Sequence, residues 1–341
     1  MNKTLKLSKF YMLHLKSHLA ELSSPPSSAH YFNRDHSNPA SVSVPVSDFL
    51  DICEFAKDKL ANPLFSLSVA TSTMLPSHGI LGFLLKSCNN LSEVIKHGYR
   101  FQNISRSGCY STIQYDALNA ISILDTSQFN PEFIAPFVEY CQGNLFAIAS
   151  ELTGLDNEIV AKEIHFRHKP RASIEKYHEY LNAESILFSQ PDNRVIFSRA
   201  LMNLPLYISD SSMKDSFLKE AKRISNSLCG QQPTRMLIYQ LLQQQTPFQL
   251  LTLEDCASQI SISTSTLKRR LLIEKTSYQK ILNEVRTNMA CQLLSTSHLP
   301  IQDVSHQLGF SNAAAFSRAF KRWFRETPLQ YRERTSSKER K

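Results

Sequence analysis

Apolar positions recur at helical spacing over several stretches of the first two thirds of the chain. From Val46 to Leu60, Phe49, Leu50, Cys53 and Phe55–Ala56 predict a helix. Ile80–Lys86 and Leu91–Tyr99 read as two short helices, and Pro131–Leu152, Ser173–Leu181 and Lys214–Leu228 as further ones. Between them Cys109–Tyr115, Ala120–Leu124, Ile164–His168 and Arg194–Phe197 are β-rich, several of them alternating, as strands require. Residues 20–48, rich in Ser, Pro, His and Asn, read as largely irregular. The mixture predicts an α+β domain over residues 1–229. Cys229–Pro233 carries a Gly-then-Pro stop signal that marks its end. From residue 233 to 335 the pattern is helix, turn, helix throughout, which predicts an all-α domain, and 336–341 is a basic tail.

The second domain repeats itself. Leu253–Ser263 matches Ile301–Ser311 at an offset of 48 residues, pairing Ala257 with Ser305, Ile260 with Leu308, Ser261 with Gly309 and Ser263 with Ser311. A small residue where two helices cross, a turn residue four later and a polar cap before the next helix are what a helix-turn-helix needs. Two copies in register predict two such units, at 252–273 and 300–325, joined by a long helix over Ser277–Ser295. Thr252 and Asp255 have capping-box spacing, and Pro300 suits a first helical position.

Charge sharpens this division. Residues 1–232 hold 22 Lys+Arg and 22 Asp+Glu, whereas residues 233–341 hold 16 and 8. The whole net charge of +8 therefore lies in the helical third, which points to a polyanion. In the first unit Leu267 and Leu271 face inward, leaving Ser265, Lys268 and Arg269 to reach base edges in a major groove. In the second, Phe316, Ala319, Phe320 and Trp323 form the inward face. Ala314, Arg318, Lys321 and Arg325 lie opposite, flanked by Ser317. Ser265, Lys268, Arg269, Ala314, Ser317 and Arg318 are the expected base readers. Lys275, Arg286, Lys321, Arg322, Arg325 and Arg332 are the expected phosphate contacts.

At this point the chain resembles the AraC-type transcriptional regulators. The carriers are Leu308–Trp323 and Thr327–Arg332, which hold Leu-Gly-Phe-Ser, Phe-Ser-Arg-Ala-Phe-Lys-Arg and a closing Pro-x-x-Tyr-Arg. The likeness covers about 100 residues. Glu326 stands where glycine is usual, and Ala313–Ala315 replace polar residues often found there, so the second helix is expected to read little beyond Arg318 and a thymine methyl. Gly79–Lys86, Leu91–Tyr99, Ile164–Pro170 and Leu201–Leu206 are similar to the arabinose-binding-type sensor domain of one subgroup. That resemblance implies an effector-sensing or dimerising front domain, with no particular sugar promised. It further implies double-stranded DNA and RNA polymerase as partners. Two reading units in one chain let a monomer bind an asymmetric site, so a homodimer is allowed but not demanded.

Other chemistries find little footing. No apolar run reaches the ~18 residues of a membrane span. The start at Lys3–Leu15 imitates a signal peptide but lacks a cleavage site. Seven scattered cysteines show no Cys-x-x-Cys spacing, so buried thiols in a reducing cytoplasm are expected. No Gly-x-Ser-x-Gly, phosphate loop or His-Glu-x-x-His occurs, and no cofactor, metal site or catalytic residue is expected. His165 and His168, three apart on an expected strand, should face opposite ways. His14 and His18 lack a third ligand. Two alternatives to a sequence-specific regulator remain: a DNA alkyl-transfer enzyme acting through a reactive thiol, and a non-specific architectural DNA binder.

Overall fold

A computed structural model describes residues 6–8, 43–116, 118–155, 158–207, 211–228, 234–243, 251–260, 262–274, 276–297 and 299–336. The expected boundary at 229–233, together with Lys275, Ser261, His14 and His18, lies outside these residues. Contacts divide the chain into two units. One is Met1–Ile113 with Ala120–Gln231, the other Gln114–Asn119 with Gln232–Lys341.

The first unit is built around the Pro131–Thr153 helix. Pro131 opens it, and Asn130 Oδ1 accepts from the Glu132 and Phe133 amides, so the first turn is satisfied by its own cap. The helix then buries residues on every side, including Ile134, Phe137, Tyr140 and Phe146. Against it lie the Val46–Leu60 helix and a Phe65–Thr71 helix that sequence reading missed. The sequence Phe-Ser-Leu-Ser-Val alternates like a strand, yet tertiary packing buries Phe65, Leu67, Val69 and Ala70 together.

A five-stranded sheet has the order β4-β5-β8-β6-β7. Its strands are β4 (Tyr110–Tyr115), β5 (Asn119–Asp125), β6 (Ala161–His165), β7 (Ala183–Leu187) and β8 (Asn193–Ser198). β6 runs antiparallel to β8, with a register shift between Ala161 and Glu163, and parallel to β7. Three corrections follow. β7 was not expected: only Ile186 of its five residues is buried, so it carries no alternation to read. β6 ends at His165 rather than His168. His165 faces Glu163 at 2.7 Å, whereas His168 is buried beyond the strand end with its Nε2 3.9 Å from Glu139 Oε1. Lastly, Ser43–Pro45 is not irregular but a strand, β2, in a small sheet ordered β2-β1-β3 with β1 Lys6–Ser8 and β3 Arg106–Ser107.

One close approach fixes the Ile80–Lys86 helix. A Cβ built on Gly82 would lie 1.8 Å from the Leu75 carbonyl oxygen, so only glycine lets that turn seat. Gly82→Ala therefore pits a methyl against backbone that has no rotamer to yield. The expected cost is at least about 1–3 kcal/mol, read as a lower urea midpoint of the full chain.

Among the described residues the C-terminal part of the second unit forms helices and no strand. Its helices are Thr234–Gln243, Leu253–Gln259, Thr264–Ile273, Tyr278–Thr296, Ile301–Gln307, Ala313–Phe324 and Pro328–Ser336. The last runs through Ser336, the first residue assigned to the tail; 337–341 lie outside the described residues.

Candidate DNA-binding surface and sensor cavity

The two repeats fold alike at the level of single hydrogen bonds. Ile262 N donates to Ala257 O at 3.0 Å, and 48 residues on Phe310 N donates to Ser305 O at the same distance. Ala257 and Ser305 are both buried, because the two helices of each unit cross at that point. Thr252 and Asp255 form the full capping box. Ser263 caps the first recognition helix through the Thr266 amide. The second unit departs from the repeat here: its cap is Asn312, accepting from Ala315 N at 2.8 Å, and not Ser311. Asn is as good a cap as Ser, so one step of drift costs little. Gly309 takes φ +69° in the turn, a conformation that a side chain resists. Pro300 is likewise a cap residue, with the helix beginning at Ile301.

Burial sorts the recognition helices into faces. Leu267 and Leu271 are buried, as are Phe316 and Phe320, while Ala319 and Trp323 are half-buried at the edge of the same face. Ser265, Lys268 and Arg269 are exposed on the first helix, and Ala314, Arg318, Lys321, Arg322 and Arg325 on or at the end of the second; Ser317 is half-buried. Among the described residues no ion pair engages Lys268, Arg269, Arg318 or Lys321. A face of uncompensated cations at helical spacing attracts an extended anion. Ser265 Oγ also sits 3.0 Å from Ser263 Oγ, so its hydroxyl is shared with the cap. Leu272 and Ile273 close the first helix at 75% and 73% exposure, an apolar end that spacing did not predict.

One expected phosphate contact is engaged within the protein, and a second is half-buried. Arg286 Nε donates to Leu308 O at 3.1 Å and Nη2 to Gly309 O at 3.0 Å, with the guanidinium stacked 4.7 Å over Phe310. It braces the second turn from the Tyr278–Thr296 helix, and burial draws its pKa down. Arg332 is also half-buried, with its pKa lowered by desolvation. On the first unit's side, the Tyr278 hydroxyl donates to Leu251 O, immediately before the capping box. The long helix thus holds one unit from each flank.

The first unit holds a partly open cavity of about 120 Å³. Its wall is mostly apolar, including Leu85, Leu91, Val94, Ile148, Phe197 and Met202, with Ser105, Arg106 and Asn144 among the polar exceptions. Sequence reading assigned no effector residues, because these groups come together only through the fold. Among the described residues no cluster of three His, Cys, Asp or Glu is placed to hold a metal. The six described cysteines are buried free thiols: burial pushes Cys88 up to about 12 and Cys141 and Cys256 up to about 11, and raises Cys53 and Cys109 further. A nucleophilic thiol needs the opposite shift. No helix among the described residues is long and apolar enough to cross a membrane.

An α+β domain followed by two repeated helix-turn-helix units with basic recognition helices defines a DNA-binding transcriptional regulator with a sensor domain. The arabinose-binding domain of AraC transcription regulators, N-terminal, matches residues 33–206, and a helix-turn-helix domain matches 256–334. The chain belongs to the AraC family of transcriptional regulators. It is 24% identical over 293 residues to the ornithine utilization regulator of Pseudomonas aeruginosa, spanning 84% of this chain and 83% of that one. It is 35% identical over 101 residues to the urease operon transcriptional activator of Escherichia coli, spanning 30% and 34%. Of solved structures, the transcriptional regulator CdpR from Pseudomonas aeruginosa aligns over 95% of this chain and 98% of its own, at 19% identity and a TM-score of 0.47.

Proposed function

We propose that the chain is a cytoplasmic, effector-responsive activator that reads a bipartite site in double-stranded DNA through both recognition helices. The observation that carries this reading is the pair of exposed cationic faces, Ser265–Arg269 and Ala314–Arg318, on helices that share one bracing helix. Lys268 and Arg269 supply donors for guanine or phosphate, and Arg318 does the same in the second groove face. Lys321, Arg322 and Arg325 grip phosphate and add salt-sensitive affinity without sequence choice. The Tyr278–Thr296 helix has 19 residues, which at 1.5 Å per residue is about 28 Å. That is of the order of the 34 Å, roughly, between successive major-groove faces, so one chain is enough for an asymmetric site and a homodimer is optional. RNA polymerase is the partner an activator needs. Membrane attachment and catalysis have no part in the reading.

The test is selection of random DNA by the full chain at about 150 mM salt, followed by sequencing. A bipartite motif with halves one helical turn apart is expected. A single half would mean that the alanine-rich second helix only grips backbone. Salt-sensitive binding with no enriched motif would favour an architectural DNA binder instead. On the selected site, Arg318→Ala should cost about 1–3 kcal/mol and relax choice at its position, while Lys321→Ala should weaken all sequences alike. Equal losses on selected and random DNA for both variants would remove the base-reading role of Arg318.

A further inference from the structure

The Leu91–Arg100 helix carries a glycine, Gly98, that its backbone does not require. The residue has no positive φ, and a Cβ built there would meet only Leu85 Cδ2 within 4 Å among the described residues, at an ordinary 3.8 Å. Gly82 is held to glycine by a carbonyl that leaves no room, whereas Gly98 faces room. Glycine inside a helix is less stable than alanine, because the unfolded chain has more freedom to lose. What the missing methyl leaves open is the cavity of the first unit, whose wall includes both Gly98 and Leu85. The rest of that wall is mostly hydrocarbon, with Val94, Ile148 and Met202 on it, and several of its polar members answer one another. The Tyr99 hydroxyl bonds Ser122 Oγ. Gln102 donates to the Tyr99 and Ser111 carbonyls while its Oε1 accepts from Ser111 N. Arg106 donates to Ser111 Oγ at 2.6 Å and to Gln102 Oε1 at 3.4 Å. Ser105 Oγ and Asn144 Nδ2 have no partner among the described residues, and neither carries charge. No Asp or Glu stands along the wall among the described residues.

We infer that this cavity binds an uncharged, hydrocarbon-bodied molecule of about six to eight carbons, seated against Gly98 and Leu85. The inference rests on the effector-sensing reading of the first unit and names the chemical class of the effector. A cation would find no carboxylate on the wall and would be repelled by Arg106. An anion would leave water for a mostly hydrocarbon wall, where the arginine already serves Ser111 and Gln102. A sugar carries hydroxyls over most of its surface, and the aliphatic wall leaves nearly all of them unpaired. A compact hydrocarbon has none of these costs and gains the burial of its whole surface. Size agrees: an engineered apolar cavity of about 150 Å³ accepts benzene, close to the 120 Å³ here.

The experiment is calorimetric titration of the purified full chain at neutral pH with toluene, benzyl alcohol, sodium benzoate, benzylamine and L-arabinose. The four aromatic compounds share one ring and differ in a single substituent. Toluene or benzyl alcohol is expected to bind, with benzoate and benzylammonium each about tenfold or more weaker and arabinose silent. Gly98→Ala should keep or raise the urea midpoint of the chain, since it adds helix propensity without a clash, and should weaken the neutral ligand several-fold. A glycine needed only by the fold would lower the midpoint instead. Gly98→Leu, which puts a whole side chain into the space, should abolish binding. Far-UV circular dichroism shows whether that variant is folded, and if it is not, Gly98→Ala carries the reading. Neither neutral compound binding, a charged one binding as tightly, arabinose binding in their place, or Gly98→Ala leaving both midpoint and affinity unchanged would each overturn the inference. Repeating the DNA titration with and without the bound compound separates the two claims. Neutral-ligand binding that depends on Gly98 but leaves DNA affinity unchanged upholds the ligand class and sinks the sensing role.

Discussion

Replacing Phe320 by alanine is expected to cost the second unit about 3–5 kcal/mol and, with it, DNA binding. Phe320 is fully buried and touches four rings: Phe316 at 5.6 Å, Phe324 at 4.6 Å, Trp323 at 6.4 Å and Tyr331 at 5.2 Å, the last edge-on at 83°. Its removal loses the transfer energy of a whole ring, leaves a void that aromatic neighbours cannot collapse into, and deletes edge-to-face contacts. A domain of this size has about 5–15 kcal/mol in hand, so the loss is a large share of it. Trp323, the chain's single tryptophan, packs in the same cluster and makes the measurement specific. Tryptophan emission should report unfolding at a much lower urea midpoint in Phe320→Ala. Phe320→Leu should fall between the two. If Phe320→Ala left the Trp323 transition in place, the ring cluster would not be what holds the second recognition helix.

The second large effect is expected at Glu139, inside the first unit. Its side chain is fully buried, yet four groups face it. Arg171 Nη1 donates at 2.8 Å, the Tyr177 hydroxyl at 2.6 Å and the Ser66 hydroxyl at 2.9 Å, with His168 Nε2 3.9 Å away. The carboxylate pushes the Tyr177 phenol further up, beyond what burial alone does, and His168 is held low by desolvation despite it. Glu139→Ala removes the acceptor that all of them share. Breaking one partner of a buried pair typically costs about 3–5 kcal/mol, because the other charge is stranded. Arg171 is partly open to water, which draws the expectation to the lower end. Glu139→Gln keeps the shape and should recover part of the loss. Far-UV circular dichroism in urea checks both variants; a Glu139→Ala midpoint within error of the unaltered chain would mean the network is a spectator.

Local chemistry made most of the DNA-binding unit legible. Thr252, Asp255 and Ser263 declare their caps within three residues, and the offset of 48 aligns two turns without any tertiary knowledge. The Val46–Leu60 and Ile80–Lys86 helices fall at the residues their apolar spacing predicted. What stayed hidden is non-local. β7 is defined by pairing to β6, not by its own pattern, and the Phe65–Thr71 helix is defined by what covers it. Arg286 has the sequence signature of a phosphate contact, since a basic residue on a polar helix face looks the same whether solvent or a carbonyl receives it. The cavity of the first unit was beyond reach for the same reason: Leu85 and Phe197, 112 residues apart, line the same space only in the folded chain.

The bracing of the second turn by Arg286 also fixes a length. The Tyr278–Thr296 helix is a ruler between two readers, and a ruler made of α-helix has a phase as well as a span. One inserted residue would add about 1.5 Å and turn everything beyond it by about 100°, carrying the Arg318 face out of its heading relative to the Arg269 face. Seven would restore the heading to within about 20° at the expense of roughly 10 Å of separation. Substitutions along the solvent side of this helix are cheap by comparison, whereas a single deletion there would uncouple the headings of the two recognition helices from one another.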